Sequence, residues 1–491
     1  MEQMVTAVSN LLWSPFMISF CVVVGLYFSI RTNFVQIRHA KEMIRLLFRG
    51  KSSDEGVSSF QALSLALSGC IGVGNISGTA TAIAFGGPGA VFWMWMIAFV
   101  GAASSFVEST LAQIFKEKQS GQYRGGPAYY IEKGLGWKWY AIIFSIATLI
   151  AMAVLMPGVQ SNSIAISIHN AFGVNTTVTG IVLIVIVGLI IFGGIKRIVN
   201  VAQFVVPFMA LGYVMVAVYI IFVNIEKLPD VFLLIFSSAL GVDSMFGGIM
   251  GSAIAWGVKR GLYASEAGQG TSPHSAAAAE VSHPVKQGLV QAFSIYLSVF
   301  LVCTATALII LFTGAYNTID EKSGDYIVQH ISGVEEGPGY TQAAVDSVFP
   351  GFGSEFVAIA LFFFAFTTIM GYYYIAETNL AYLLKGRYST IASSLLKIIL
   401  LVATFYGAVK ESALAWTLGD IGLGIMVWLN LIALLLLSKP VLIALKDYES
   451  QKKQGLDPTF NSSRLGIKGA DFWANGYNHP HQQNDNEEKV S

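Results

Sequence analysis

The chain has 491 residues, of which 54% are hydrophobic and only 12% charged, and its formal net charge is zero. A soluble domain carries roughly 25% charged residues, so a water-soluble globule is excluded, and without a basic excess there is no electrostatic footprint for nucleic acid. Apolar windows of about 20 residues recur, the length that crosses a hydrocarbon core of about 30 Å, and they mark an all-α polytopic membrane protein.

The first apolar run, Leu11 to Ile30, has no basic residue before it and is long for a signal peptide, so it reads as a retained span. About eleven transmembrane spans are predicted, over 11–31, 58–86, 88–115, 138–168, 175–195, 199–223, 243–264, 285–314, 353–384, 388–408 and 413–437. With the amino terminus outside, the loops carrying Arg31 to Lys51, Lys116 to Lys138, Lys196, Arg197, Lys259, Arg260, Lys286, Lys385 and Arg387 fall in the cytoplasm, as does the carboxyl tail. The loop between spans eight and nine is acidic (Asp320, Glu321, Asp325, Glu335, Glu336, Asp346) and falls outside. Asn33 to Lys51 is basic and amphipathic, suited to the inner membrane face, and Leu228 to Leu240 suits a partly embedded external helix. Residues 1–438 then form one transporter domain, and 439–491 a cytoplasmic tail, partly disordered, with His479 and His481 in its polar end.

Two spans are rich in glycine where a helix should run. Residues 58–86 contain SGCIGVGNISG, with Gly69, Gly72, Gly74 and Gly78 beside the polar Asn75. Close packing through small residues accounts for some of these. Unwinding accounts for the cluster better: it frees amide N–H groups for a carboxylate and carbonyls for a hard cation such as Na⁺. The stretch DSMFGGIMGS, with Gly247, Gly248, Gly251 and Ser252, places a second break in span seven, where Phe246 and Trp256 could close a pocket or simply pack. Lys259, Arg260 and Glu266 are expected at that span's cytoplasmic end as a gate or snorkelling cluster. Discounting the first span leaves ten, and an odd half of five inverts the second half, 243–437, relative to the first, 58–223.

Polar side chains inside spans carry the remaining chemistry. Gln160 follows Pro157 and Gly158, and either hydrogen-bonds an amino acid or satisfies a broken helix. Thr367 and Thr368 either bond back to their own helix or lend oxygens to a cation. Of the intramembrane carboxylates, Glu108 and Glu377 lie toward inner ends. Asp420 lies well inside span eleven, as a proton or second-cation site or as a structural partner for unwound backbone. Cys21, Cys70 and Cys303 are all in apolar segments, which leaves no disulfide frame. Neither a metalloenzyme motif nor a nucleophile with an evident base appears in the spans, so the chain does not read as an enzyme and needs no organic cofactor. A channel, the reading from another class, lacks its repeated pore motif.

Four segments, GVGNISGTATAIAFGGPGAVFWMW from Gly72, GQYRGGPAYYIEKGLG from Gly121, VKRGLYASEAGQGTSPHSAAAA from Val258 and FAFTTIMGYYY from Phe364, resemble the alanine/glycine:cation symporter family. The resemblance covers nearly the whole chain. It implies a leucine-transporter-like 5+5 inverted repeat with one extra amino-terminal helix, in a bacterial-type inner membrane. It also implies Na⁺- or H⁺-coupled uptake of a small neutral amino acid, most often alanine, then glycine, with some members carrying glutamine. Position by position it implies a Na⁺ site from the carbonyls of Ser68, Ile71 and Phe364 with the hydroxyls of Thr367 and Thr368. The substrate would touch Gly72, Gly74, Asn75, Thr79, Gln160, and Phe246 to Ser252. Tyr372 stands where the family often has tryptophan, which leaves the pocket's size open.

Overall fold

A computed structural model of the chain describes residues 2–48, 52–53, 55–119, 121–243, 245–321, 323–385 and 390–475. Arg49, Lys51, Arg387, His479 and His481 lie outside them. The main helices are α1 (Pro15–Arg31), α2 (Ser59–Cys70), α3 (Thr79–Gly86), α4 (Gly89–Ile114), α5 (Lys138–Ile150), α6 (Pro157–Phe172), α7 (Thr176–Ile191), α8 (Ile195–Val223), α9 (Leu228–Ala239), α10 (Met250–Ser265), α11 (Pro284–Ile295), α12 (Thr304–Thr313), α13 (Gly353–Leu384), α14 (Thr390–Val409), α15 (Ser412–Leu436) and α16 (Ser438–Lys453). Wider π-helical turns join α5 to α6 and α11 to α12, at Ala151–Leu155 and Tyr296–Cys303. Shorter helices, among them Glu2–Leu12 and Pro338–Asp346, and two short antiparallel hairpins accompany them: β1 (Glu117–Gln119) with β2 (Gln122–Arg124), and β3 (Asn317–Ile319) with β4 (Tyr326–Gln329) in the acidic loop.

Eight of the described helices are long and apolar enough to cross a membrane, and the pair Ser59–Cys70 and Gly74–Gly86, bent by 52°, makes a ninth. The expected spans 175–195 and 243–264 are shorter: α7 and α10 each have 16 residues, about 24 Å at 1.5 Å per residue. α10 stops early because Glu266 turns left-handed, with φ of 54°. The chain then runs irregularly through Gly268 and Gly270 before a short helix, Ser272–Ala277.

The core is built by close helix contact. α10 lies against α4 through Gly257 and Gly261, one turn apart. A Cβ on Gly261 would come within 2.4 Å of Ile97, and one on Gly257 within 2.5 Å of the Ala90 carbonyl. Such small-residue faces let helices approach in lipid, where dispersion rather than water drives association.

Two segments outside the expected spans pack into the protein. In the amphipathic stretch, Met43, Leu46 and Leu47 of the helix Ala40–Leu47 are buried in protein. Its charged face holds α16: Glu42 accepts from Tyr448 and Lys452, and Glu449 pairs with Arg38 and His39. The tail beyond α16 folds back. Trp473 is fully buried and donates from Nε1 to the Gln113 carbonyl at 2.8 Å. The Lys116 ammonium lies over the rings of Tyr123, Phe472 and Trp473 at 4.3, 4.6 and 5.0 Å. Phe460 N–H donates to the Ser282 carbonyl, and Arg464 pairs with Asp447.

Beneath this tail, burial pushes the His283 imidazole down to about 4. Burial alone would raise the Asp447 carboxyl, but the His283 hydrogen bond and the Arg464 charge hold it below its usual value. An undocked His283 binds a proton below about 6.5, while the docked one resists it until about 4. Docking therefore weakens as pH falls through that window, and the depressed Asp447 adds to the loss below it. Limited proteolysis of the purified protein is expected to cut within 454–475 faster at pH 5 than at pH 7.5, and His283→Phe is expected to flatten that dependence.

Candidate functional site

The first break follows from residues that leave the α2 ladder. Ile71 departs from helical geometry (φ −94°, ψ 87°). Gly72 N–H then donates to Asn75 Oδ1 at 2.9 Å, and Val73 N–H to Gln160 Oε1 at 3.2 Å. Their ordinary acceptors four residues back, the carbonyls of Ser68 and Gly69, lose those donors. Asn75 N–H likewise turns to the Gly72 carbonyl at 3.1 Å instead of Ile71. A π-helical turn, Gly74–Gly78, leads into α3.

α13 closes on this break. A Cβ on Gly72 would lie 2.4 Å from Thr368 Oγ1 and 3.1 Å from Gln160 Oε1, so only glycine fits there. A Cβ on Gly371 would lie 3.1 Å from Ser68 Oγ. Thr367 and Thr368 both donate to the Phe364 carbonyl at 2.9 Å. Their protons are thus spent within the helix, and the lone pairs of each hydroxyl remain as acceptors. The Phe364 carbonyl, by contrast, is already engaged by two hydroxyls. Gln160 Nε2 donates to the hydroxyls of Tyr372 (3.2 Å) and Tyr263 (3.4 Å). The structure therefore brings together Ser68, Ile71, Gly72, Asn75, Gln160, Thr368 and Tyr372, and adds Tyr263. Gly74 packs against Tyr263 and Ala264, and Thr79 is buried at the start of α3.

Phe246, Gly248, Gly251 and Ser252 are not in this group. They form the start of α10, from a 3₁₀ turn at Gly247–Ile249, and a Cβ on Gly248 or Gly251 would meet nothing within 4 Å. Phe246 packs on Gly87, and Ser252 Oγ donates to the Phe85 carbonyl. The stretch from Gly251 to Ser265 is continuous helix, so these residues lie about 20 Å along the axis from its end. The interruption lies instead at Glu266–Thr271, in ASEAGQGTS.

This second break is pinned from three sides. Gly268 and Gly270 N–H groups donate to the two oxygens of Glu108, at 3.1 and 3.0 Å. Asn430 Nδ2 donates to Glu108 (2.7 Å) and to the Gly268 carbonyl (2.9 Å), and Tyr130 donates to Asn430. Glu108, rather than Asp420, is the carboxylate that satisfies unwound backbone. The two breaks also touch: Asn75 Nδ2 donates to the carbonyl and hydroxyl of Ser298, both at 2.9 Å, and the Ser298 hydroxyl lies against the carbonyls of Cys70 (3.2 Å) and Ala264 (2.5 Å).

Lys259 and Arg260 precede the second break, on the side of the acidic loop, where Trp256 Nε1 donates to Glu321. They are not at the far end of span seven, where they were expected together with Glu266. Both pair with Asp420, at 2.6 and 2.9 Å, and the Arg260 guanidinium lies 4.2 Å over the Trp416 ring. Trp416 in turn packs on Tyr263 at 5.3 Å between centroids. On the other side, Arg124 grips Glu377 through two bonds of 2.9 Å. No sequence signal couples Asp420 to residues 160 positions away.

Two broken helices, back to back in a helical membrane protein with free backbone groups between them, define a membrane transporter. A histidine-to-alanine variant of the manganese transporter of Eremococcus coleocola shares the fold, with a TM-score of 0.51, at 12% identity, over 83% of this chain and 89% of that one. The chain belongs to the sodium:alanine symporter family, whose profile matches residues 1–462. It is 66% identical to YrbD of Bacillus subtilis (strain 168), over 98% of this chain and 99% of that one. It is 64% identical to the sodium/proton-dependent alanine carrier protein of Bacillus sp. (strain PS3), over 89% and 98%. It is 44% identical over 96% of each chain to GlnT of Bacillus subtilis (strain 168), which carries the name of a probable sodium/glutamine symporter. The chain is thus a transporter and not an enzyme.

Glu108 makes the second break affordable in lipid. Glu108→Ala leaves two buried N–H groups without an acceptor, at about 1–3 kcal/mol each. A clear fall in melting temperature in detergent is expected, with Glu108→Gln, which keeps one acceptor oxygen, in between.

Proposed function

We propose that this protein is a sodium-coupled secondary symporter that imports a small neutral amino acid, alanine first and glycine next. The observation that carries this reading is the Val73 N–H held by Gln160 at the first break. A substrate carboxylate would replace the Gln160 carbonyl on Val73 N–H, at the positive end of the half-helix that follows. Gln160 would then turn its carbonyl to the substrate ammonium. Tyr263 and Tyr372 bound the space above Gln160, and Thr368 approaches Gly72 closely. The preference for alanine over glutamine follows the names of the relatives at 66% and 64% identity, both alanine carriers. A glutamine-preferring or H⁺-coupled variant is the second reading, supported by the names of GlnT and of the sodium/proton-dependent carrier.

Na⁺ would sit between the freed carbonyls of Ser68 and Ile71 and the hydroxyls of Thr367 and Thr368. The Phe364 carbonyl, with two hydroxyls on it, is the weakest member of the set. Binding there joins α2 to α13 and orders the break, which completes the carboxylate site. One charge crossing 100 mV releases about 2.3 kcal/mol, and a tenfold Na⁺ gradient about 1.4 kcal/mol. Together they sustain accumulation of a few hundredfold.

The same reading takes α1 as the extra helix, with two inverted sets of five spans over 58–223 and 243–437 within a single transporter domain, 1–438. The amino terminus would be outside and the tail from Lys439 in the cytoplasm of a bacterial inner membrane.

Radiolabelled alanine uptake into proteoliposomes tests this. Uphill accumulation that collapses without inward Na⁺ is expected; accumulation driven only by a pH gradient would establish the H⁺-coupled alternative, and none under either gradient would overturn the reading. Gln160→Ala should raise the alanine concentration for half-maximal uptake by about tenfold, the size of one charge-assisted hydrogen bond. Thr367→Ala should leave expression intact and shift the Na⁺ dependence to higher concentration.

A further inference from the structure

Three intramembrane carboxylates have partners that complete them. Asp420 has Lys259 and Arg260, Glu377 has Arg124, and Glu108 has two backbone amides and Asn430. Glu266 differs. It is only 2% exposed, and among the described residues no Lys, Arg or His nitrogen pairs with it. Its left-handed backbone aims the side chain at α2, where a Cβ on Gly69 would lie 3.0 Å from Oε2. The titratable groups that face it are Cys70 on α2, Glu108 on α4, Tyr263 on α10 and Tyr372 on α13, and none of them is a cation.

The same break holds further oxygens without partners. Thr271 Oγ1 and Ser272 Oγ are 1% and 2% exposed at residue level and make no hydrogen bond of acceptable geometry, and Gln269 Oε1 is equally unpaired. The Thr271 hydroxyl faces the Glu266 carboxylate, and the Ser272 hydroxyl faces the Cys70 thiol. With their protons turned to Glu266 and Cys70, the two hydroxyls keep their lone pairs open as acceptors. A group of them around an uncompensated carboxylate is a site waiting for a positive ion.

We propose that Glu266, Thr271 and Ser272 form a second Na⁺ site at the break of α10, separate from the one between α2 and α13. A protonated carboxyl donates to one hydroxyl oxygen at most and leaves the remaining oxygens of the break as they are. A divalent cation would leave an uncompensated charge, because the site offers one negative charge. A monovalent metal ion satisfies both conditions. It would also tie Gly69–Cys70 of the first break to the second, so that filling the site holds the first broken helix against the fixed one. The proposal rests on the reading of this protein as cation-coupled, but its test does not need transport.

Equilibrium binding of ²²Na⁺ to the purified full chain in detergent measures it directly. About two Na⁺ per chain are expected for the unaltered protein, with about one in Glu266→Gln and about one in Thr367→Ala. Ser272→Ala should keep both ions but weaken one several-fold, and it serves if Glu266→Gln does not elute as a single species. A capacity of one ion that Thr367→Ala abolishes and Glu266→Gln spares overturns the second site. So does a capacity of two that Ser272→Ala leaves unaltered in number and affinity. If alanine uptake shows no Na⁺ dependence while two ions bind, the proposed function fails and this site stands.

Discussion

Inside a bilayer every backbone N–H and C=O must find its partner within the protein. This chain breaks two helices there, and the rest of the structure is arranged around that cost. At the first break the partners are side chains that fold back or reach across: Asn75 for Gly72 and Gln160 for Val73. At the second they come from α4 and α15: Glu108 for Gly268 and Gly270, with Asn430 for both Glu108 and the Gly268 carbonyl. Ser298 joins the two. Each group would cost several kcal/mol if left bare in hydrocarbon, so the polar residues in these spans are a structural necessity before they are a binding site.

The two solutions differ in how easily they can be exchanged. Glu108 accepts two amides and a side-chain N–H, and Asn430 is itself held by Tyr130. Removing one contact exposes the others, so the second break behaves as a fixed anchor. Gln160 makes one neutral bond of 3.2 Å to Val73 and two long ones to tyrosines. A neutral bond contributes about 1 kcal/mol net, and one to a charged group up to about 3 kcal/mol. In the proposed reading an incoming carboxylate would displace Gln160 from Val73, whereas the three bonds on Glu108 would have to be lost together. The first break is built to trade partners, and the second to stay where it is.

Much of this was legible from residues. SGCIGVGNISG announced its own break because glycines and a lone asparagine share one apolar run. Gln160 was open to two roles, and in this structure it fills one of them, satisfying the broken helix. The second break was misplaced because GGIMGS has as many glycines as a break needs, while those glycines only begin a helix at an open end. The informative pattern was ASEAGQGTS, where polar side chains alternate with glycine and a carboxylate sits in the middle. Lys259 and Arg260 read as a loop-end cluster because their partner, Asp420, is distant in sequence. The same limit hid the tail, since Trp473 and Lys116 meet only once α4 and the folded-back chain are side by side.

Above the first break lies the Arg260–Asp420 pair under Trp416, and on the opposite side the Arg124–Glu377 pair. Both are buried, and both are made in this structure. Stripping one partner from a buried pair costs about 3–5 kcal/mol, as much as one Na⁺ supplies through a 100 mV potential and a tenfold gradient, about 3.7 kcal/mol. Neither layer can therefore open dry. Water has to enter and rehydrate the separated charges as the helices part, and rehydration on one side does nothing to lower the cost on the other. Opening both at once would meet both costs together, about 6–10 kcal/mol, against about 3–5 kcal/mol for either layer alone, so the two ion pairs favour opening one side at a time.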